Sequence, residues 1–339
     1  MKKSVLIKRW ENLEGLTLRE RILKDIKYNK DITKINELKT IDEKLDLRGL
    51  TFPLPAKVDK IKSYTRKIKP FHFNKNKFIN VDFSYCDFSY CFFNNCTFEN
   101  CIFVESKLYD VSITACDFIS SNFINCNLSN SFLNNNNGRN SGSYIDCYFI
   151  KSNFSKSGFN FPIIKNCIFD NCKMKEVNFD GSRFYNSKFI GLFTSGWFNG
   201  YSIYARTGLF SKIDPKKYPN KMIDVDFSEA NLDDISFQHE IDLSKCKFPE
   251  NKQYIIIKDI EKVFNKVSDI INNTWTGEFK RIALEWVHNI HYNNTKKGMR
   301  IDLINTHCIT DYFPQELYDD FFELVRMTNK SIMGTPAGS

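Results

Sequence analysis

The sequence predicts a β solenoid: a narrow four-walled tube, capped by helices at its N-terminal end and followed by a helical module at its C-terminal end. Three observations lead there. Apolar residues, mostly Phe, recur every five residues through most of 71–250. Ten of the eleven cysteines stand two residues before such an apolar position. The segments outside this period carry apolar residues at helical spacing instead.

The period is plainest from Phe71, where the chain reads FHFNK NKFIN VDFSY CDFSY CFFNN CTFEN CIFVE SKLYD VSITA CDFIS SNFIN CNLSN SFLNN. The third position of all thirteen blocks is apolar, from Phe73 to Leu133, and the first is mostly Cys, Ser or Val. A polar stretch, NNNGRNSGSYID, interrupts, and the register returns one residue out from Cys147 to Gly191. A third run covers Val225–His239, and IDLSK and CKFPE follow at Ile241–Glu250. Upstream, LDLRG and LTFPL at Leu45–Leu54 fit the same template.

A period of five fits neither a helix nor a plain strand. It fits a chain that turns a corner every five residues, with two inward side chains per wall. The third position fills the centre of the tube, and the first must be small because it packs near a corner. The other three positions face water, and here they are Asn, Asp, Ser, Lys and Glu.

These blocks resemble the pentapeptide-repeat family, whose pattern is roughly A-(D/N)-(L/F)-x-x. The resemblance covers about half the chain, 22 blocks in the two long runs. It implies a right-handed quadrilateral β-helix with four blocks per coil. At an inter-strand spacing of ~4.8 Å, up to 29 blocks would give about seven coils and a rod on the order of 35 Å long.

The repeat also explains Cys86, Cys91, Cys96, Cys101, Cys116, Cys126, Cys147, Cys167, Cys172 and Cys246, all at the first position. Cysteine there is a small buried hydrophobe. Four zinc ligands must converge on one point, and cysteines on successive walls do not. Only Cys96 with Cys116 and Cys147 with Cys167 lie one coil apart, and parallel inward side chains argue against a bridge. No metal and no cofactor are expected.

Outside the repeat, residues 1–44 read as a helical cap, with Leu6, Trp10, Leu13, Leu16, Ile22 and Ile26 on a 3–4 spacing across 4–38. Such a cap would cover the open end of the solenoid. Residues 45–70 hold the first blocks and a basic linker, KVDKIKSYTRKIK at 57–69, with a net charge of +5. Within 71–250 the period has insertions at 136–146 and 192–224. Residues 251–330 read as a helical domain. Its stripes are Ile256, Ile260, Val263, Phe264, Val267 and Ile271, and Phe279, Ile282, Trp286, Val287 and Ile290. Pro314 marks a third helix start, ahead of Leu317, Phe321, Leu324 and Val325. That domain is a capping bundle, a partner-binding unit or a homodimer contact. Residues 331–339 read as a flexible tail.

The formal net charge of +8 is concentrated in residues 1–70, where 19 basic residues face 10 acidic ones. The 71–191 tube has 11 against 10. The first residues lack the apolar core of a secretory signal, and the cysteine content suits a reducing compartment. The expectation is therefore a cytoplasmic protein, although leaderless export as an effector would leave no mark in the sequence. The resemblance and the Asn/Lys/Ile-rich composition point to a bacterial or phage protein.

No phosphate-binding loop, dinucleotide fingerprint or nucleophile elbow is present. His288 and His291 lie three apart without a clear third ligand, and His307–Cys308 adjacency is not a triad. The expected function is a non-enzymatic protein–protein interaction scaffold. Its partner-binding candidates are Trp197, Phe198, Tyr201, Tyr204, Arg206 and Lys216 in the second insertion. The alternative reading of those aromatics is a cover folded down over the tube. Some members of the resembled family protect DNA gyrase by imitating duplex DNA. That mimicry needs a strongly negative rod, which the 71–191 charge does not supply. A further alternative is salt-dependent binding of nucleic acid or an anionic membrane through Lys57, Lys60, Lys62, Arg66, Lys67 and Lys69.

Overall fold

In the computed structural model, residues 2–53, 70–136, 140–203, 214–296, 298–307 and 314–333 are described. Short parallel strands stack into four walls around a solid core. The first wall carries nine central residues in succession: Leu47, Phe83, Phe103, Phe123, Phe149, Phe169, Phe189, Phe227 and Phe248. At ~4.8 Å per step this is a rod of about 38 Å. Eight of the nine are Phe, and their rings stack at centroid distances of 4.6–5.5 Å. Such offset stacking adds to the burial of each ring.

Each corner forces its residue into the left-handed region. From Asn80 to Asn130, every fifth residue has φ between 49° and 65°. Asn adopts this conformation most readily after Gly, and five of these eleven corners are Asn. The fifth position, expected only to face water, is thus fixed by backbone geometry. Where the second position is Asp or Asn and the fourth Ser, the side chain accepts from the Ser N–H, as in Asp82–Ser84 (2.9 Å) and Asn153–Ser155 (3.0 Å).

The ten repeat cysteines are free thiols, nine of them buried. They donate as well as fill space. Cys86 Sγ lies 3.1 Å from the Leu47 carbonyl and Cys126 Sγ 3.0 Å from that of Phe103. Ser106 and Ser152 make the same bond to Phe83 and Phe123. Burial pushes the Cys101, Cys126 and Cys172 thiols up to about 12.

Both insertions are shorter than the sequence indicated. Gly142–Asp146 is a regular block: its strand pairs with Asp117–Ile119, and Tyr144 stacks on Phe118 at 5.1 Å. The insertion begins with a bulge in the strand Phe132–Asn135, where Phe132 pairs with Ser112 but Asn135 with Thr114, and ends at residue 141. Likewise the strand Lys188–Asn199 continues the tube, with Phe193 and Phe198 buried at central positions. Phe189 and Phe193 are four apart, a shortened corner that Gly191 permits at φ 92°. The tube resumes at Asn220, because Met222 is fully buried and Ile223 bridges to Tyr185. The true excursion is 201–219.

The N-terminal cap is two helices, α1 (Lys3–Lys8) and α2 (Leu13–Lys27), rather than one continuous run. Asn12 caps α2 by accepting from Gly15 N at 2.7 Å. Leu6, Trp10, Ile22 and Ile26 are buried as expected, but Leu13 is 82% exposed and Leu16 is exposed too. Arg9 and Arg48 clamp the buried Asp46 carboxylate on the first coil.

The C-terminal module is not wholly helical. Strand Tyr254–Ile257 pairs antiparallel with Asp302–Asn305, so Ile256 belongs to a strand. Helices α3 (Ile260–Thr274), α4 (Gly277–Lys296) and α5 (Gln315–Met333) pack together, Trp286 meeting Phe264, Phe321 and Phe322. Phe279, expected on an apolar stripe, is exposed. The module satisfies the last coil: Leu232 N donates to Tyr254 Oη at 2.8 Å, and Asn305 Nδ2 donates to the Leu232 carbonyl at 2.7 Å. An open solenoid edge needs such partners. Among the described residues, no helix is long and apolar enough to cross a membrane.

Candidate protein-binding surface

Both insertions leave the tube at the same corner. The first lies between Leu133 on the third wall and Tyr144 on the fourth. The second lies between Phe198 on the third wall and Met222 on the fourth. Two coils between them close normally through Phe159–Ile164 and Phe179–Phe184.

The second excursion is pinned at both ends. The fully buried Asp180 carboxylate accepts from Asn199 Nδ2 and Ile203 N, each at 2.9 Å, and from the Ser202 hydroxyl. On the return, Asn220 N donates to the Gly200 carbonyl at 2.6 Å, and Asn220 Oδ1 accepts from Phe184 N at 3.2 Å. A short 3-10 turn at Pro215–Lys217, capped by Asp214, then presents Lys216 and Tyr218.

Arg183 joins the two excursions. It occupies the second position of the block SRFYN on the fourth wall. Its Nη2 donates to Ser141 Oγ of the first excursion at 2.8 Å. Its guanidinium carbon lies 4.6 Å from the centre of the Phe161 ring and 5.7 Å from that of Tyr218. Burial works against its charge and draws its pKa below the usual arginine value. Farther along the corner, Lys216 Nζ sits 4.9 Å over the Tyr201 ring, which also meets His239 at 5.5 Å.

Beside this corner the third wall carries an outward column: His72, Phe92, Ser112, Phe132, Gly158, Asn178 and Trp197 in register. Phe132 is 55% exposed and Trp197 39%. Trp197 and Lys216 are solvent-facing, and Tyr201 is half-buried. Phe198 is not a surface residue: it is fully buried and stacks on Phe179 (4.8 Å) and Phe237 (5.3 Å). Its neighbour in sequence faces outward because successive strand residues alternate. Tyr204 and Arg206 lie outside the described residues, as do Lys57, Lys60, Lys62, Arg66, Lys67, Lys69 and Cys308.

Sequence reasoning missed Arg183, Phe161, Tyr218 and the Phe92–Phe132 column. A usable signal existed. Assigning blocks to walls in fours places Phe92 and Phe132, eight blocks apart, at second positions of one wall; the insertions, nine blocks apart at the limits read from the sequence, do not fall at one corner that way.

His288 is exposed on α4 and stacks along Tyr292. A cleft of ≈750 Å³ separates the last coil from the C-terminal module, lined by Leu243, Phe248, Ile256 and Ile301 with Lys247 and Lys258. Cys246 borders it, its thiol pushed up to about 12 by burial.

A family description of pentapeptide repeats matches residues 77–114 as 8 copies. No curated protein matches the chain. Solved structures that it resembles include HetL, a pentapeptide repeat protein involved in heterocyst differentiation regulation from the cyanobacterium Nostoc sp. strain PCC 7120. That match is 10% identical and covers 53% of this chain and 90% of HetL, with a TM-score of 0.32. QnrB1, a plasmid-mediated fluoroquinolone resistance protein, is 16% identical over 49% of this chain and 82% of its own, with a TM-score of 0.20. Rfr23 from the cyanobacterium Cyanothece 51142 is 15% identical over 39% of this chain and 82% of its own, with a TM-score of 0.14. Residues 77–114 thus match the pentapeptide-repeat family, and the same blocks of five continue through the four parallel walls and the central phenylalanine ladder of the rest of the tube.

Proposed function

We propose that this protein is a non-enzymatic scaffold that binds a partner protein along the third wall and its corner with the fourth. One observation carries the reading: two excursions leave a rigid tube at the same corner and set exposed aromatic and basic side chains beside each other. Trp, Tyr and Arg are the residues that dominate binding energy at protein interfaces. A scaffold that holds them rigidly lowers the entropy cost of association. The excursion 201–219 holds four basic residues and one acidic, so the partner's surface is acidic. The near-neutral tube disfavours imitation of duplex DNA.

The test is capture from a lysate of the producing cells by the tagged full chain, at low and high salt, beside Trp197→Ala and Tyr218→Ala. Both side chains are exposed, so neither substitution threatens the fold. The expected result is one protein that survives high salt and is lost with the variants. Capture of nucleic acid or lipid alone, released by salt, would overturn the reading and move function to residues 57–69.

A further inference from the structure

We propose that Arg183 is the receptor for a single carboxylate side chain of the partner protein, beside the rings of Phe161 and Tyr218. The inference rests on the reading of this corner as a protein-binding surface.

The guanidinium is half-buried but lacks a counter-charge. Among the described residues it forms no ion pair, whereas the buried Asp46 has two arginines. Its Nη2 bonds Ser141 Oγ and, at 3.5 Å, the Phe161 carbonyl. Its Nε is buried without an acceptor among the described residues. The excursions cannot supply the missing carboxylate. Residues 136–141 contain no acidic side chain, and in 201–219 the one acidic residue, Asp214, caps its own turn. Lys165 lies one coil away on the same wall and Lys216 and Lys217 flank Tyr218, while the Asp180 carboxylate at this corner is taken up by Asn199, Ser202 and Ile203.

Buried charges in proteins are paired, because desolvating an unpaired one is costly. An arginine kept without a partner therefore calls for an explanation in the molecule that binds it. The two rings, 6.4 Å apart and nearly perpendicular to each other, flank the guanidinium on adjacent sides and leave its N–H groups as the means of recognition. The planar N–H edge matches a carboxylate with two parallel hydrogen bonds. One deep-set arginine framed by rings suits a single charged group. A polyanion backbone is instead met by a row of exposed cations. Tyr218 is 49% exposed, so the site lies at a surface that a partner can reach.

The experiment uses full-length protein with ¹⁵N-labelled arginine and follows the Arg183 Nε–H resonance, assigned by its loss in Arg183→Lys. Three probes are titrated to about 10 mM, the weak-binding range: acetylated hexaglutamate amide, the matching hexaglutamine, and inorganic phosphate. The expected result is a saturating shift with hexaglutamate and none with hexaglutamine. No shift with hexaglutamate, or saturation by phosphate at lower concentration, would overturn the assignment. Arg183→Leu adds a second readout. Removing an uncompensated buried charge should leave the melting temperature equal or higher. A lower melting temperature without an Nε–H shift would make Arg183 a tie between the two excursions and overturn the proposal. If Tyr218→Ala loses the captured partner while Arg183→Leu keeps it, the carboxylate receptor fails and the binding surface stands.

Discussion

Tyr144 takes the place of a phenylalanine in the central ladder, stacked 5.1 Å from Phe118, and its hydroxyl is buried without a hydrogen-bond partner among the described residues. An unsatisfied buried hydroxyl costs about 1–3 kcal/mol. Tyr144→Phe should therefore raise unfolding stability by about 1 kcal/mol, read from denaturant midpoints; lower stability would show that the hydroxyl has a partner. Phe118→Asp should abolish the cooperative transition, since a charge would be buried between the rings of Phe98 and Tyr144. At the corners the backbone decides. Asn125 sits at φ 53°, so Asn125→Val should cost about 1–3 kcal/mol, while Asn125→Gly and Asn125→Asp should change little. Equal midpoints for all three would remove the corner argument. The central Phe residues were legible directly, because burial imposes a strict period. The corner requirement was not, because an Asn chosen for its φ looks like any solvent-facing Asn.

At the scale of elements, the cap is joined to the tube through Asp46. Burial alone would raise the pKa of this carboxyl, and the hydrogen bonds from Arg48 and Arg9 overcome it, holding the group far below the usual carboxylate range. A depressed folded-state pKa contributes stability that is complete above the ordinary value of about 4 and is lost as pH falls below it. Proteolysis within α1 and α2 should therefore accelerate in acid before the tube melts. In Asp46→Asn that acid step should be absent and cleavage faster already at pH 7. An unchanged pH profile would show that the clamp does not hold the cap. The helices were legible from spacing, but their break was not, because Leu13 and Leu16 continue the apolar pattern while facing water. The excursion limits were misjudged for a related reason. The four-residue step from Phe189 to Phe193 loses the register, and the single block Asn220–Asp224, centred on Met222 rather than Phe, does not announce its return.

Across the whole molecule, a rigid rod with a filled interior leaves function to its outer surface. Two excursions, invisible as a pair in the linear sequence, become neighbours because four walls bring every twentieth residue back to the same wall. Arg183 carried no mark in the sequence, since an outward second position tolerates almost any side chain; only the excursions on either side give it a context. The most direct test of the account is amide hydrogen exchange on the full chain, alone and with its captured partner. The account predicts new protection confined to 197–203, 214–219 and the strand containing Arg183, with the first and second walls unchanged. Protection on the first wall, on α1 and α2 or on the C-terminal module, with this corner unaffected, would contradict it.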